Sequence, residues 1–257
     1  MYVESRKKSI KRFYHLLIKR HIFGITSPLR VLPDFFVIGP GRTGTTSLFY
    51  YLNEHPCLVK SAYDELGFFD VNFHLGLQWY RSLFPTIFTK RKIKSKTNHF
   101  QTYDVSPSYV RRPWVARRMH ELFPKSKHIV VLRNPVDKTY SHYYLAGFKF
   151  DKNNKPINKQ RTELRSFEDV INDDMKNIEK FHNEPKNDYY FGSYVEKSFL
   201  ARGFYIEQLP IWFKLFSKDQ ILVISSEDLS LKTRSTLKII FKFLNLPDYD
   251  LKNIEKV

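Results

Sequence analysis

Between Asp34 and Pro56 the chain reads DFFVIGPGRTGTTSLFYYLNEHP. Phe35, Phe36, Val37 and Ile38 form a short unbroken apolar run, the pattern of a strand covered on both faces. Gly39, Gly41 and Gly44 punctuate the turn that follows. Thr45, Thr46 and Ser47 open a helix with Leu48, Tyr51 and Leu52 among its apolar positions, and Asn53 to Pro56 stop it. A buried strand, a glycine-bearing turn and a helix N-terminus predict an anion site. Backbone N–H groups converge there, and the helix dipole favours negative charge. A phosphate or a sulfate suits such a site. The same residues also fit a tight βα turn whose glycines serve packing alone.

Gly39 and Gly44 take the glycine places of the nucleoside-triphosphate P-loop, but the position that needs Lys holds Thr45. The cation of this loop is Arg42. The lysine that reaches the β- and γ-phosphates is therefore absent, which weakens the reading as a P-loop nucleotide kinase or NTPase without removing it.

The 257 residues suffice for one α/β domain, and 42% hydrophobic residues suffice for its core. A formal net charge of +17 implies anionic partners. The basic residues are spread along the chain without a zinc-finger, RNP or basic-zipper pattern, so no specific nucleic acid is expected. The single cysteine, Cys57, rules out an internal disulfide and fits a reducing, cytoplasmic compartment. No run of 18 apolar residues reads as a membrane span. Residues 1–32 alternate Arg6, Lys7, Lys8, Lys11 and Arg12 with Ile10, Phe13, Leu16 and Leu17. This basic amphipathic arm suits contact with a membrane surface or polyanion, or a helix packed on the domain with a solvated basic face. Ser27-Pro28 and Leu32-Pro33 read as an extended lead into the first strand.

Further along, Leu58 to Lys60 reads as a strand. His74 to Pro85 reads as a helix with Leu77, Tyr80 and Phe84 on one face. Thr89 to Asn98 reads as a basic loop, and Phe100 to Val105 as a strand followed by Ser106-Pro107-Ser108-Tyr109, where Ser106 fits a helix cap. Lys127 to Leu132 is the clearest buried strand. Arg133-Asn134-Pro135-Val136-Asp137-Lys138-Thr139-Tyr140-Ser141 follows it at once. The carboxyl end of such a strand is where open α/β sheets bind ligands, and Arg133 offers a fork for phosphate. Taken alone, these residues fit better an internal ion pair for Arg133 and a plain helical role for Ser141. Gly147 to Gln160 reads as an exposed loop, Ser166 and Asp169 as a capping pair. Leu209, Trp212, Phe213 and Phe216 have core spacing. Gln220 to Ile224 reads as a strand, and Leu231 to Leu244 as the last helix.

GPGRTGTTSL resembles the 5′-phosphosulfate loop of the sulfotransferases that use 3′-phosphoadenosine 5′-phosphosulfate (PAPS), in particular their carbohydrate, heparan-sulfate-type and related bacterial branch. That branch commonly has Lys where this chain has Arg42. The resemblance covers about residues 33–250. It implies a three-layer α/β fold of the P-loop-kinase-like kind, a parallel sheet flanked by helices, over residues 33–257. It implies sulfuryl transfer from PAPS, leaving 3′-phosphoadenosine 5′-phosphate (PAP), to a hydroxyl of a carbohydrate, lipid or small metabolite, with no metal expected. Arg42 would neutralise charge on the bridging and leaving oxygens, with Thr43, Gly44, Thr45, Thr46 and Ser47 around the 5′-phosphosulfate. Glu65, ahead of Phe68 and Phe69, would be the catalytic base, although Asp64 and Glu65 also read as plain loop charges. Arg133 and Ser141 would bind the 3′-phosphate, and Tyr205 would contact the donor pocket. Gly67 stands where some members place a histidine. Nothing after Asp248 matches the basic loop that closes over the donor in the family. A non-catalytic, polyanion-binding relic of the fold is the remaining alternative.

Overall fold

The computed structural model describes residues 24–146, 165–182 and 198–251. The elements are β1 (Phe35–Gly39), α1 (Thr45–Glu54), β2 (Leu58–Lys60), α2 (Gly76–Arg81), α3 (Ile87–Thr97), β3 (Gln101–Val105), α4 (Pro113–Leu122), β4 (Lys127–Leu132), α5 (Pro135–Ala146), α6 (Phe167–His182), α7 (Tyr205–Gln208), α8 (Pro210–Leu215), β5 (Ile221–Ser225), α9 (Ser226–Leu231) and α10 (Thr233–Phe243). The five strands form one parallel sheet in the order β2-β3-β1-β4-β5.

The unbroken apolar run of β1 has the cause inferred from it. Successive side chains of a strand point to opposite faces. Phe35 and Val37 pack with Leu48 and Leu52 of α1 and with Leu237, Ile240 and Phe241 of α10. Phe36 and Ile38 pack on the other face with Tyr80 of α2, Val115 and Met119 of α4, and Trp212 of α8. All four β1 side chains are buried, and each contributes on the order of 1.5–3 kcal/mol by leaving water. The result is a helix–sheet–helix sandwich whose central strand is β1. Its strand order reverses between β1 and β4, which opens a crevice at their carboxyl ends.

Several local expectations give way to the structure. Residues 87–97 form helix α3 rather than a loop. The Thr86 hydroxyl accepts the Thr89 N–H at 3.2 Å, and Asn98 ends the helix in a left-handed conformation. Its Lys and Arg residues are good helix formers, and because none of its side chains is fully buried it carries no apolar period to read. Ser27-Pro28 lies in a 3₁₀ turn instead of an extended lead. Ser106 caps nothing; Pro113 starts the next α-helix. Phe213 is partly exposed, at 42%, although Trp212 and Phe216 are core. The last helical stretch divides at Lys232, which leaves Leu231 exposed. The capping pair is present: Ser166 Oγ accepts the Asp169 N–H at 3.0 Å, and the Ser166 N–H reaches Asp169 Oδ2 at 3.3 Å. The arm over residues 1–23 and the loop over 147–160, apart from the flanking residues above, lie outside the described residues.

His128 of β4 is a buried polar side chain in this core. It stacks on Phe36 at 5.6 Å and sits against Trp212 and Phe216. Burial pushes its imidazole down to about 3 from an ordinary 6.5. Between those values the unfolded chain binds a proton that the folded chain refuses, so stability falls as pH drops below the unfolded value. Relative to His128→Phe, the wild type should lose up to about 1.4 kcal/mol per pH unit between about pH 6 and about pH 4. Urea denaturation across that range checks it; parallel pH dependence in the two proteins would contradict it.

Candidate active site

The turn after β1 passes very close to its neighbour. Gly39 has φ +106°, and a Cβ there would lie 2.1 Å from the Pro107 carbonyl oxygen. Only glycine permits that approach. The Thr43 hydroxyl donates to the Pro40 carbonyl at 2.7 Å and braces the loop from inside. Gly44, with φ +91°, is the N-cap of α1 and supplies no side-chain cap. The first-turn N–H groups of Thr45, Thr46 and Ser47 are thus available to an outside acceptor, at the positive end of a ten-residue helix.

The facing wall comes from β4 and α5. The Asn134 side chain accepts the Val136 N–H at 2.9 Å and starts α5, while the Asn134 N–H donates to Glu227 Oε1 at 3.2 Å. Arg133 Nη1 donates to the Arg42 carbonyl at 3.4 Å. Arg42 Nε and Nη2 both donate to Ser141 Oγ, at 3.1 and 3.0 Å, across 99 positions of sequence. The Tyr205 hydroxyl donates to the Arg133 carbonyl at 2.9 Å. Arg42, Arg133, Ser141 and Tyr205 therefore meet in one constellation. Tyr205 enters it one step back, through the backbone of Arg133.

Two cavities flank this constellation. One, of about 720 Å³, is lined by Gly44, Ser47, Tyr51, Arg133, Asp137 and Glu227, among others. The other, of about 300 Å³, lies against the opposite side of the turn, where Arg42 and Thr46 face Glu65, Arg111, Lys138 and His142. Arg202 lines it too. Thr45, Thr46, Asp64 and Glu65 also line a neighbouring space of about 260 Å³.

The second cavity is strongly positive, and its titrating groups register that. Burial, then the charge of Arg133, lowers the Arg42 guanidinium from its ordinary value. Arginine absorbs such a shift and stays charged. Burial, then Arg202 and Arg111, pushes the Lys138 amine down to about 7. Burial and the surrounding cations, Arg202 first, push His142 down to about 3, so its imidazole is neutral. Glu65 is the carboxylate lining this space, at its exposed mouth. The protein bulk around it raises its pKa, Asp64 adds to that, and Arg111 opposes it. A carboxylate so raised is a better proton acceptor than a free one.

Arg111, Lys138, His142 and Arg202 were not legible as site residues. Lys138 and His142 did carry a signal: they stand four apart on α5 and flank Ser141, so one helix face presents all three. Arg111 and Arg202 carry none; the tertiary fold alone brings them in. Among the described residues no cluster of His, Cys, Asp and Glu could hold a metal ion, and no helix is long and apolar enough to cross a membrane.

The fold defines a P-loop-type α/β domain with a crevice at the carboxyl ends of β1 and β4. The sulfotransferase-domain family model matches residues 32–256, and the chain belongs to that family. It is similar to the bifunctional heparan sulfate N-deacetylase/N-sulfotransferase 2 of Bos taurus, 27% identical over 224 residues, which cover 85% of this chain and 22% of that protein. It is 25% identical over 282 residues to the membrane-associated sulfotransferase kil1 of Dictyostelium discoideum, covering 88% of this chain and 59% of that one. The chain thus spans about a fifth of the first relative's length and under two thirds of the second's. The crystal structure of a sulfotransferase from Alicyclobacillus acidocaldarius shares the fold, with a TM-score of 0.61 at 22% identity over 88% of this chain and 86% of that one.

Proposed function

We propose that this chain transfers the sulfuryl group of PAPS to a hydroxyl of a carbohydrate acceptor. The observation that carries the reading is the contact of Arg42 with Ser141 and Arg133. It joins the glycine turn after β1 to the arginine–serine segment after β4, which supports one site for a donor with phosphate at two ends. The names of the curated relatives support a carbohydrate acceptor. The P-loop NTPase alternative is disfavoured by Thr45 in the place of the phosphate-binding lysine.

PAPS, when bound, supplies the sulfuryl group. In this reading the N–H groups of Thr43, Gly44, Thr45, Thr46 and Ser47 hold its 5′-phosphosulfate end. Arg133 and Ser141 hold the 3′-phosphate, and Tyr205 fixes Arg133 through its carbonyl. The 720 Å³ cavity beside Arg133 and Ser47 has room for the nucleoside. Glu65, on the other side of the turn, takes the proton of the acceptor hydroxyl as its oxygen bonds to sulfur and the bridging S–O bond breaks. Arg42 meets the charge that grows on the leaving phosphate. Its planar fork suits two oxygens at once, where lysine offers a point charge. These fixed cations stabilise the transition state electrostatically, and no step requires a metal.

A basic arm over residues 1–32 precedes the catalytic domain and favours contact with an anionic membrane surface, as a peripheral protein of the cytoplasm.

Transfer of labelled sulfate from PAPS to a panel of glycans, lipids and phenols tests the activity. Glu65→Gln should lower turnover by about 10²-fold or more while PAP affinity stays within a few-fold. Near-full turnover in that variant would contradict the role of Glu65. Arg133→Ala should weaken PAP by about tenfold or more, in line with a lost charge-assisted phosphate contact, and should leave adenosine 5′-phosphosulfate far less affected. Equal losses for both ligands would contradict the 3′-phosphate assignment.

A further inference from the structure

Asp104, on β3, is fully buried. Three hydroxyl groups donate to its carboxylate: Tyr80 to Oδ2 at 2.8 Å, Tyr109 to Oδ2 at 3.1 Å, and Ser106 to Oδ1 at 2.8 Å. A hydroxyl has one hydrogen and two lone pairs. With its hydrogen committed to Asp104, each hydroxyl is left to accept. Two of them do so from the loop that follows Glu65. Ser106 Oγ accepts the Gly67 N–H at 3.3 Å. The Tyr109 hydroxyl accepts the Phe68 N–H at 2.8 Å, with the Phe69 N–H at 3.4 Å. The Glu65 N–H itself donates to the Val105 carbonyl at 3.0 Å.

The order of donation runs one way, from backbone amide to hydroxyl to carboxylate. A buried carboxylate costs a great deal unless fully hydrogen-bonded, so the network is an all-or-none structure. It lies directly beneath the one place on this loop where the backbone is strained. Glu65 is a non-glycine residue at φ +53°, a conformation that persists only where the surroundings enforce it. Asp70 adds a second strut: its Oδ2 accepts the Ser108 hydroxyl at 2.5 Å and pairs with Arg112.

We propose that Asp104, acting through Tyr109 and Ser106, is the positioning group that sets Glu65 in the cleft. This rests on Glu65 being the proton acceptor of the proposed reaction. The function of the network is then to hold a strained backbone rather than to touch the substrate. Asp104 keeps the two hydroxyls turned so that they accept from Gly67 and Phe68, and those bonds fix the Glu65 carboxylate relative to Thr46 and Arg42.

A double-mutant cycle tests it. Tyr109→Phe keeps the buried ring and removes only the hydroxyl. Turnover and PAP affinity are measured for the wild type, Tyr109→Phe, Glu65→Gln and the double variant. Tyr109→Phe should lower kcat about tenfold, the scale of a lost hydrogen bond to a buried amide, and leave PAP affinity within about twofold. In the Glu65→Gln background the same change should have no further effect on kcat, because the residue that it positions is already disabled. An equal loss in both backgrounds, or an unchanged kcat in Tyr109→Phe, overturns the proposal. Ser106→Ala provides a second arm through Gly67 if Tyr109→Phe does not fold, with the same two outcomes. Full turnover in Glu65→Gln alone overturns the base assignment instead, so the two failures are distinguishable.

Discussion

The site depends on one contact, the Arg42 guanidinium on the Ser141 hydroxyl. It closes the gap between the two segments that follow the central strands. That contact is possible because β1 and β4 are neighbours in register, with Phe35 beside Lys127 and Val37 beside Ile129. Their carboxyl ends then present Arg42 and Arg133 on adjacent loops. Neighbouring guanidinium groups repel, and Arg133 contributes to the lowered pKa of Arg42. The pair is held together by hydrogen bonds to a carbonyl and a hydroxyl. Neither of these carries charge, so these hydrogen bonds do not neutralise the guanidinium groups.

The same logic governs the cleft on the other side of the turn. Lys138 and His142 are held at depressed pKa values by burial and by neighbouring arginines. In such a field a lone carboxylate would normally be pulled toward low pKa. Glu65 escapes because protein bulk and Asp64 outweigh Arg111. A carboxylate beside a cluster of cations needs controlled placement, and the buried hydroxyls around Asp104 are proposed to provide it.

Much of this was legible in the sequence where local pattern and burial agree. The doubly covered strand β1, the start of α1 at Thr45 and the full span of β4 follow from apolar runs bounded by turn residues. Arg42 and Arg133 stand on the loops that follow β1 and β4, where local pattern draws attention to a cation; Glu65, in the loop after β2, and Ser141, midway along α5, were singled out by the family resemblance alone. Helix α3 was not legible, since a helix without a buried face has no period to detect, and its caps, Thr86 and Asn98, are its only signals. Arg111, Arg202 and the Asp104 network were not legible either. They depend on side chains far apart in sequence, such as Tyr80 and Asp104, meeting behind the sheet. Ser106 shows the limit well: its residue type favours a cap, but its hydroxyl is used by Asp104 and Gly67.

The crevice between β1 and β4 is proposed to recognise a nucleotide with phosphate at both its 3′ and 5′ positions. Isothermal titration of the wild-type chain with PAP, ADP and ATP, each with and without magnesium, tests it most directly. PAP should bind at least about tenfold more tightly than ADP, since each charge-assisted phosphate contact contributes roughly 1.5–3 kcal/mol, and magnesium should make no difference. Tighter binding of ADP or ATP, dependent on magnesium, would contradict it.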